Sequence, residues 1–539
     1  MEQSDKDMQF DLLIVGAGIY GATLAYEASQ RGLSVLVLEK ADIGAATSAN
    51  SLKVIHGGLR YLQSFDIVRT RYSADERKRL MAYAPHLVKP LHCLVPLSRS
   101  VVKNELSVGL VAGFYNWLTR TRNEGMPEYS HVPNAGLASL ARYQANAAQP
   151  LRDAGSFALD WHDAQASDTE RLLTLFLKDA ARAGAVIRNY HTVVSMAQTG
   201  LGWRVECLSE NSDRIAFGSR AVVDCSGAWS VAERLLKPEG SRQPMAYVKA
   251  VNLITRRKLG KTAFGFNSRQ GNRGRLLFAA PCGNHTLIGT WYFDENSPDA
   301  PTVSREVAER CIQEINEAFE QPVLTLADIT HVHVGYLPSD ERKTGDDDPE
   351  AWLMRHNKTL SWAKHPGLWV VKGTKYTTAR YEAEQFLDAH EDYWASGSPS
   401  KAIGSAGLKP LADHEAEARV AEIEKLLTSE VATGLKARYG RCYSDLIEFV
   451  GHTHVGTDVL DGTNDHLCAE VLYAVQHEWA VHLDDILVRR LGLGSLERPS
   501  KATINQTLEL LQSYSGWSTE HCQDELHRLN EIYPNWSSG

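Results

Sequence analysis

The chain has 539 residues, a formal net charge of -9, and 43% hydrophobic against 23% charged residues. That length exceeds a single core and predicts two or three domains, the composition is that of a globular protein, and the negative balance argues against a general nucleic-acid binder. The eight cysteines have no CxxC spacing, which suggests neither a metal site nor a disulfide framework and predicts a reducing, cytoplasmic setting.

The opening MEQSDKDMQF is polar and has no apolar stretch of the kind a secretory signal needs, so no signal peptide is expected. From Asp11 to Lys40 the chain reads strand, glycine turn, helix, turn, strand, acid. Leu12 to Val15 is a short continuous apolar run, as a buried parallel strand should be. Gly16, Gly18 and Gly21 form GxGxxG. The first makes a tight turn, the second lets a pyrophosphate approach the backbone, and the third permits close helix-to-strand packing. The helix that follows aims free N–H groups at that phosphate. Ser34 to Leu38 is the next strand, and Glu39 at its end can accept hydrogen bonds from ribose hydroxyls and repel a 2′-phosphate. The ligand expected is an unphosphorylated adenine dinucleotide, FAD or NAD. The next stretch, ADIGAATSANSLKVIHGGLRYLQ, contains Thr47, Ser48, Gly57 and Gly58 and has neither strand alternation nor a helical stripe. A long small-residue segment suits backbone passing close to a flat ring, which favours flavin.

Leu106 to Leu118 is the most membrane-like run. It is shorter than the roughly 20 residues a span needs, and is expected as a core or cap helix, with an interfacial anchor as the alternative. Thr169 to Ala185 has helical spacing and ends at glycine. Val193 to Met196 is a strand, and WRVECL and AFGSRAVVDCSG form a ribbon returning to the first sheet. Between Met245 and Gly335, YVKAVNLIT, RLLFAAPC, HTLIGTWYF and DITHVHVGY predict an antiparallel sheet over the ring face, where substrate would lie. Ala395 to Pro410 reads as a linker. Beyond it Val471, Leu472, Val475, Trp479, Leu483, Ile486 and Leu487 recur at helical spacing. The predicted division is 8–90, 150–240 and 340–394 for a discontinuous dinucleotide domain, 91–149 and 241–339 for a substrate or cap domain, and 408–539 for a helical domain. His477, Glu478 and His482 read HExxxH, and a spacing of five turns the second ring away from the first, so no metal is expected. His331 and His333 are expected to be packed or solvated, and Asp346 to Asp348 to form a solvated loop.

Four blocks carry a resemblance. ATSANS with Lys53, then IHGGLRYL at Ile55 to Leu62, resemble the FAD-dependent glycerol-3-phosphate dehydrogenases and oxidases. VVDCSGAWS, with Gly227, is similar to that family's second flavin-domain strand and glycine turn. LWVVKGTKYTTARYEAE, with Gly373 and Thr374, resembles its last strand-turn-helix, which touches the flavin. AEVLYAVQHEWAVHLDDILVRRLGLG looks like the core of its C-terminal helical domain. The resemblance implies an α/β (α+β) protein: an FAD-binding Rossmann-like domain, an antiparallel-sheet substrate domain and a C-terminal helical domain. It implies non-covalent FAD, oxidation of a small polar, anionic alcohol by hydride transfer to flavin N5, and quinone or oxygen as electron acceptor. It leaves room for a homodimer and for peripheral contact with the inner face of a membrane.

The family's anion-handling positions map onto Arg60, Tyr61, Arg355 and Lys375. Arg60 and Lys375 are expected to act on substrate. His56 is open between a base, a flavin-orienting group and a core histidine. Gly373 to Thr378 would open a helix toward the flavin's pyrimidine end, where negative charge develops. Three departures stand out. Leu337 occupies a position that is usually arginine in the family, Asn252 one that is usually histidine, and Trp291-Tyr292 one that is usually Thr-Asp. They predict a substrate pocket lined by Asn252, Trp291 and Leu337, with one cation fewer and more aromatic bulk. Three readings stay open: glycerol 3-phosphate oxidation, the same chemistry on a bulkier or less charged alcohol or amine, and a catalytically decayed flavin-binding scaffold. Retention of Arg60, Tyr61 and Lys375 argues against decay.

Overall fold

In the computed structural model Leu12, Leu13, Ile14 and Val15 are buried at the centre of a sheet that has eight strands among the described residues. The structure describes residues 9–97, 105–147, 149–152, 157–200, 202–237, 247–268, 275–294, 302–339, 349–354, 356–395, 422–534 and 536. The strand Gln9–Val15 pairs in parallel with Val35–Leu38 on one side and Arg214–Asp224 on the other. Val186–Arg188 and Leu368–Lys372 extend the parallel core outward. Both faces are covered, which is why the run is apolar at every position. Leu12 and Ile14 face helices Ile19–Gln30 and Thr169–Arg182, whereas Leu13 and Val15 meet Val205, Phe217 and Trp203 of the ribbon.

Among the described residues the second sheet has nine strands. The four strands expected between Met245 and Gly335 are present and antiparallel. Ala263–Ser268, which the pattern did not suggest, joins them, as do Val88–Pro96 and Phe157–Ala166. Phe157–Ala166 therefore pairs outside the first sheet, although it precedes a helix that packs on that sheet. One face of the second sheet, through Val251, Leu253 and Ile288, packs on helix Arg305–Ala318. The opposite face, through Leu91, Cys93, Trp161 and Ala280, receives Leu59 and Leu62 of the IHGGLRYL segment and Tyr115 of helix Glu105–Leu118. That segment is thus held against the second sheet.

Helix Glu105–Leu118 buries Ala112 and Tyr115 and exposes Leu110, Val111, Phe114 and Trp117. Among the described residues no helix is long and apolar enough to cross a membrane. The tail is helical, with Ser429–Tyr439, Tyr443–Val450, Cys468–His477, Lys501–Ser515 and Thr519–Glu531. The linker from residue 396 onward and Asp346 to Asp348 lie outside the described residues. All eight cysteines are buried and unpaired. His331 and His333 are buried, as packing residues are. Glu478 bonds Arg171, and His482 bonds Glu525.

Candidate active site

The glycine turn is shaped by three different constraints. Gly16 has φ +99°, and a Cβ there would lie 2.9 Å from the Cys225 carbonyl oxygen. A Cβ on Gly21 would overlap the carbonyl oxygen of Gly16, so helix and turn touch backbone to backbone. At Gly18 the protein itself is less demanding: a Cβ would meet only Ser48 Oγ, at 3.2 Å. The space beside Gly18 is left over by the protein, as a phosphate cradle requires. Ser48 Oγ accepts from the Ile19 N–H at the first turn of the helix, 2.9 Å away. Glu39 accepts from the N–H groups of Ala17 at 2.7 Å and Ala41 at 3.0 Å, and burial pushes its carboxyl up. It therefore sits between the turn and the end of the second strand. Gly227, at φ +63°, lies just beyond the end of the neighbouring strand Arg214–Asp224. Thr47 spends its hydroxyl on the backbone of Tyr336, accepting from the N–H and donating to the carbonyl. It pins the turn segment to the edge of the second sheet.

In IHGGLRYL the paired glycines answer to protein packing. A Cβ on Gly57 would overlap the guanidinium of Arg77, and one on Gly58, at φ +84°, would lie 2.8 Å from the Thr70 carbonyl oxygen. The preceding His56 is held on two sides. Its N–H donates to Thr377 Oγ1 at 3.0 Å, and its Nδ1 lies 3.0 Å from Asp163 Oδ2. Asp163 also accepts from the Gly57 N–H at 2.7 Å and lies 3.5 Å from Arg77 Nη1. Burial raises the Asp163 carboxyl, but His56, Arg77 and the Gly57 N–H outweigh it and hold it below its usual value. An ionised Asp163 fixes the proton on Nδ1 and leaves Nε2 as the acceptor. The imidazole is 56% exposed, so Nε2 is accessible. Asp163 was missed in the sequence. It lies on the same strand face as Leu159 and Trp161, where an acid among apolar neighbours is the one available signal.

Three cations gather around Tyr61. Arg60 is 78% exposed and pairs with Glu350 at 3.0 Å. Arg69, in the first turn of helix Ile67–Tyr83, is buried and stacks its guanidinium 4.2 Å from the Tyr61 ring centroid. Lys375 is half-buried, and its ammonium has no hydrogen-bond or ion-pair partner among the described residues. Burial, with Arg60 and Arg69 nearby, pushes it down to about 8. Tyr20, two residues past Gly18, places the backbone there: its hydroxyl donates to the Lys375 carbonyl at 3.1 Å. A Cβ on Gly373 would overlap the Tyr20 ring, and Thr374 Oγ1 donates to the Met354 carbonyl at 3.3 Å. The helix Ala379–Ala389 begins beyond this turn with no side chain capping it. Arg69 was not anticipated, because in IVRTRYSADERKRL it reads as one charge among many.

The second sheet supplies the remaining positions. Asn252 lies directly opposite His333 and Gly289, and its Oδ1 accepts from Thr290 Oγ1 at 2.8 Å. Leu337 is opposite Val248, on the strand face it shares with Gly335, whose Cα side packs on Thr47. Both face the turn segment. Trp291 does not: its indole donates to Glu314 of helix Arg305–Ala318 at 3.1 Å, inside the core on the other face. A register shift between Val251 and Asn252 decides which of the aromatic pair faces inward, and Tyr292, opposite Ala250, is the one on the turn-segment side. Arg355 lies outside the described residues.

A glycine cradle at the ends of parallel strands, opening onto a second sheet with a fixed histidine and clustered cations, defines a dinucleotide-dependent oxidoreductase. Residues 11–379 match the family described as FAD dependent oxidoreductase, and the chain belongs to it. Residues 400–522 match the C-terminal domain of alpha-glycerophosphate oxidase. A glycerol-3-phosphate dehydrogenase of Mycobacterium leprae is 28% identical over 97% of this chain and 88% of its own length. One from Pseudomonas aeruginosa is 28% identical over 91% and 93%. Among solved structures, the glycerol-3-phosphate dehydrogenase from Bacillus halodurans complexed with FAD has the same fold, with TM-score 0.72 at 20% identity over 99% of this chain and 97% of that one. The cofactor is FAD, and the space beside Gly18, the carboxylate of Glu39 and the uncapped turn at Gly373 fit its pyrophosphate, ribose and ring.

Proposed function

We propose that this flavoprotein oxidises a small anionic alcohol of the glycerol 3-phosphate type. The observation that carries the reading is two functions held at the Gly373 to Thr378 turn: an accessible imidazole set by Asp163 and tied through its backbone N–H to Thr377, and, two residues before that threonine, a Lys375 ammonium with no ion-pair partner among the described residues. FAD, when bound, supplies the two-electron acceptor for the hydrogen leaving the substrate carbon. Nε2 of His56 takes the hydroxyl proton, and Asp163 steadies the imidazolium that results. Lys375 holds the substrate oxygen and opposes charge developing there. Arg60 lies at the mouth, where its exposed guanidinium draws anions inward. Thr47 and Leu59 hold the turn segment to the second sheet and keep water from the ring face.

Leu337 and Tyr292 on the inward face favour a second reading, in which the same residues act on a bulkier or less charged alcohol or amine. Electrons then pass to a quinone or to oxygen. The exposed Leu110, Val111, Phe114 and Trp117 suit contact with a lipid surface, from which a quinone could be reached.

The test is anaerobic bleaching of the bound flavin. Glycerol 3-phosphate is expected to reduce it, and glycerol to do so far more slowly. Asp163→Asn, which releases the Nδ1 proton, is expected to slow reduction about a hundredfold while flavin stays bound. Reduction by neutral alcohols or amines, with glycerol 3-phosphate inert, would favour the second reading.

A further inference from the structure

We infer that Arg69 is a substrate-binding residue that grips the anionic end of the substrate; this deepens the reading above and rests on it. A buried arginine normally meets a carboxylate, because leaving a guanidinium unpaired in a desolvated place is costly. Elsewhere in this molecule that rule holds. Arg171 meets Glu478, Arg380 meets Glu27 and Glu76, and Arg489 and Arg490 meet Asp42. Arg69 is equally buried, 6% exposed, yet no carboxylate lies within 4 Å of it among the described residues. Its Nε is completely buried and has no hydrogen-bond partner. The nearby Asp66 is engaged elsewhere, accepting from the Arg69 backbone N–H at 3.1 Å as the helix cap.

What holds the guanidinium is the Tyr61 ring, 4.2 Å from Cζ. Stacking fixes the plane of the fork and leaves its edge donors unspent. Tyr61 follows Arg60 directly, and both arginines lie close enough to Lys375 to depress it. Of these three positive charges only the exposed Arg60 has an ion-pair partner among the described residues, and at Lys375 burial and the two arginines outweigh the attraction of Glu350. A phosphate or sulfate oxyanion would relieve that repulsion and match the fork bidentately. Strand Ile329–Pro338 offers no cation at its inward Leu337. The charge that binds the substrate anion therefore comes from a helix, Ile67–Tyr83, and not from the second sheet.

The test uses the oxidised holoenzyme and inorganic phosphate, read by perturbation of flavin absorbance, with glycerol 3-phosphate reduction measured in parallel. Arg69→Met keeps the stem on Tyr61 and removes the fork. It is expected to weaken phosphate binding about ten- to a hundredfold and to raise KM for glycerol 3-phosphate more than it lowers kcat. Arg69→Lys keeps the charge but not the bidentate edge and is expected to fall between. Arg71→Met, exposed on the same helix, is the control and should bind as wild type does. If Arg69→Met does not fold, Arg69→Lys decides alone: unchanged phosphate affinity there overturns the assignment. Unchanged affinity in Arg69→Met overturns it too and leaves the anionic-substrate reading standing. A wild type that binds no phosphate and is not reduced by glycerol 3-phosphate overturns both.

Discussion

Two clusters in this molecule are built from the same kinds of charged residue and differ in the balance of sign. Where the first sheet meets the C-terminal helices, Asp42 accepts from Arg489 Nε at 2.5 Å and from both terminal nitrogens of Arg490, at 2.9 and 2.7 Å. Asp484 and Asp485 close the remaining edge of Arg489. Burial pushes the Asp42 carboxyl up, but the two guanidinium groups outweigh it and hold it at about 2. Around Lys375 the described cations are Arg60, Arg69 and Lys375, and the one ion-paired carboxylate there is Glu350, on the exposed Arg60. A closed buried network joins elements that are far apart in the chain. An open one is a cost to folding, offset when a ligand brings the missing charge.

The sharpest way to break that contrast is to open the closed network. Asp42→Ala leaves the buried Arg490 without its carboxylate and Arg489 with Asp484 and Asp485 alone. It should destabilise the protein by about 3–5 kcal/mol, read as a lower denaturant midpoint with the C-terminal helices loosening first. A loss below about 1 kcal/mol would show the network to be as dispensable as a surface pair.

Lys375→Met makes the opposite change in the open cluster. It removes a repelled, half-buried charge, so the melting temperature should stay level or rise. Flavin reduction by glycerol 3-phosphate should nonetheless slow about a hundredfold, the loss expected for one charged donor aimed at a developing charge. Melting that falls as far as in Asp42→Ala would make Lys375 a structural residue and remove the distinction.

The two regions also differ in how far they could be read from the sequence. The cofactor half follows local rules. Gly16, Gly18 and Gly21 and the two flanking strands lie within one short stretch, and Gly16 and Gly21 make the tight turn and the close backbone contact that their spacing implies. The substrate half is assembled across the chain: His56 with Asp163 over 107 positions, Tyr20 with Lys375 over 355. Nothing local marks Asp163 as a partner or Arg69 as unpaired, since an arginine's function depends on which carboxylates fail to reach it. Trp291 shows a different limit. Strand alternation gives two faces, but a single register shift between Val251 and Asn252 reverses which of Trp291 and Tyr292 points inward. In sequence Gly57 and Gly58 suggest room for a ring, and in the structure they make room for Arg77 and Thr70, because close backbone approach looks the same in sequence whatever approaches.

The smallest effect concerns pH, and it sharpens the comparison because only the open cluster should show it. Lys375 is pushed down to about 8 by burial and by the neighbouring arginines. Its charged form binds the anion and its neutral form does not, so affinity is full below this value and declines as pH rises through it. Sulfate is the suitable probe, since its own charge stays constant across the range. Between pH 7 and pH 9 the protonated fraction of a group titrating near 8 falls about tenfold, and sulfate affinity should fall with it toward the level that the two arginines sustain, if Lys375 alone titrates there. Arg60 and Arg69 stay charged throughout, so a residual affinity should persist at high pH and be weakened by added chloride. In Lys375→Met the slope should vanish while that residual affinity remains. A slope that survives the substitution would place the titrating group elsewhere, and a wild type with no slope would mean that Lys375 finds a carboxylate in solution and that the cluster is closed after all.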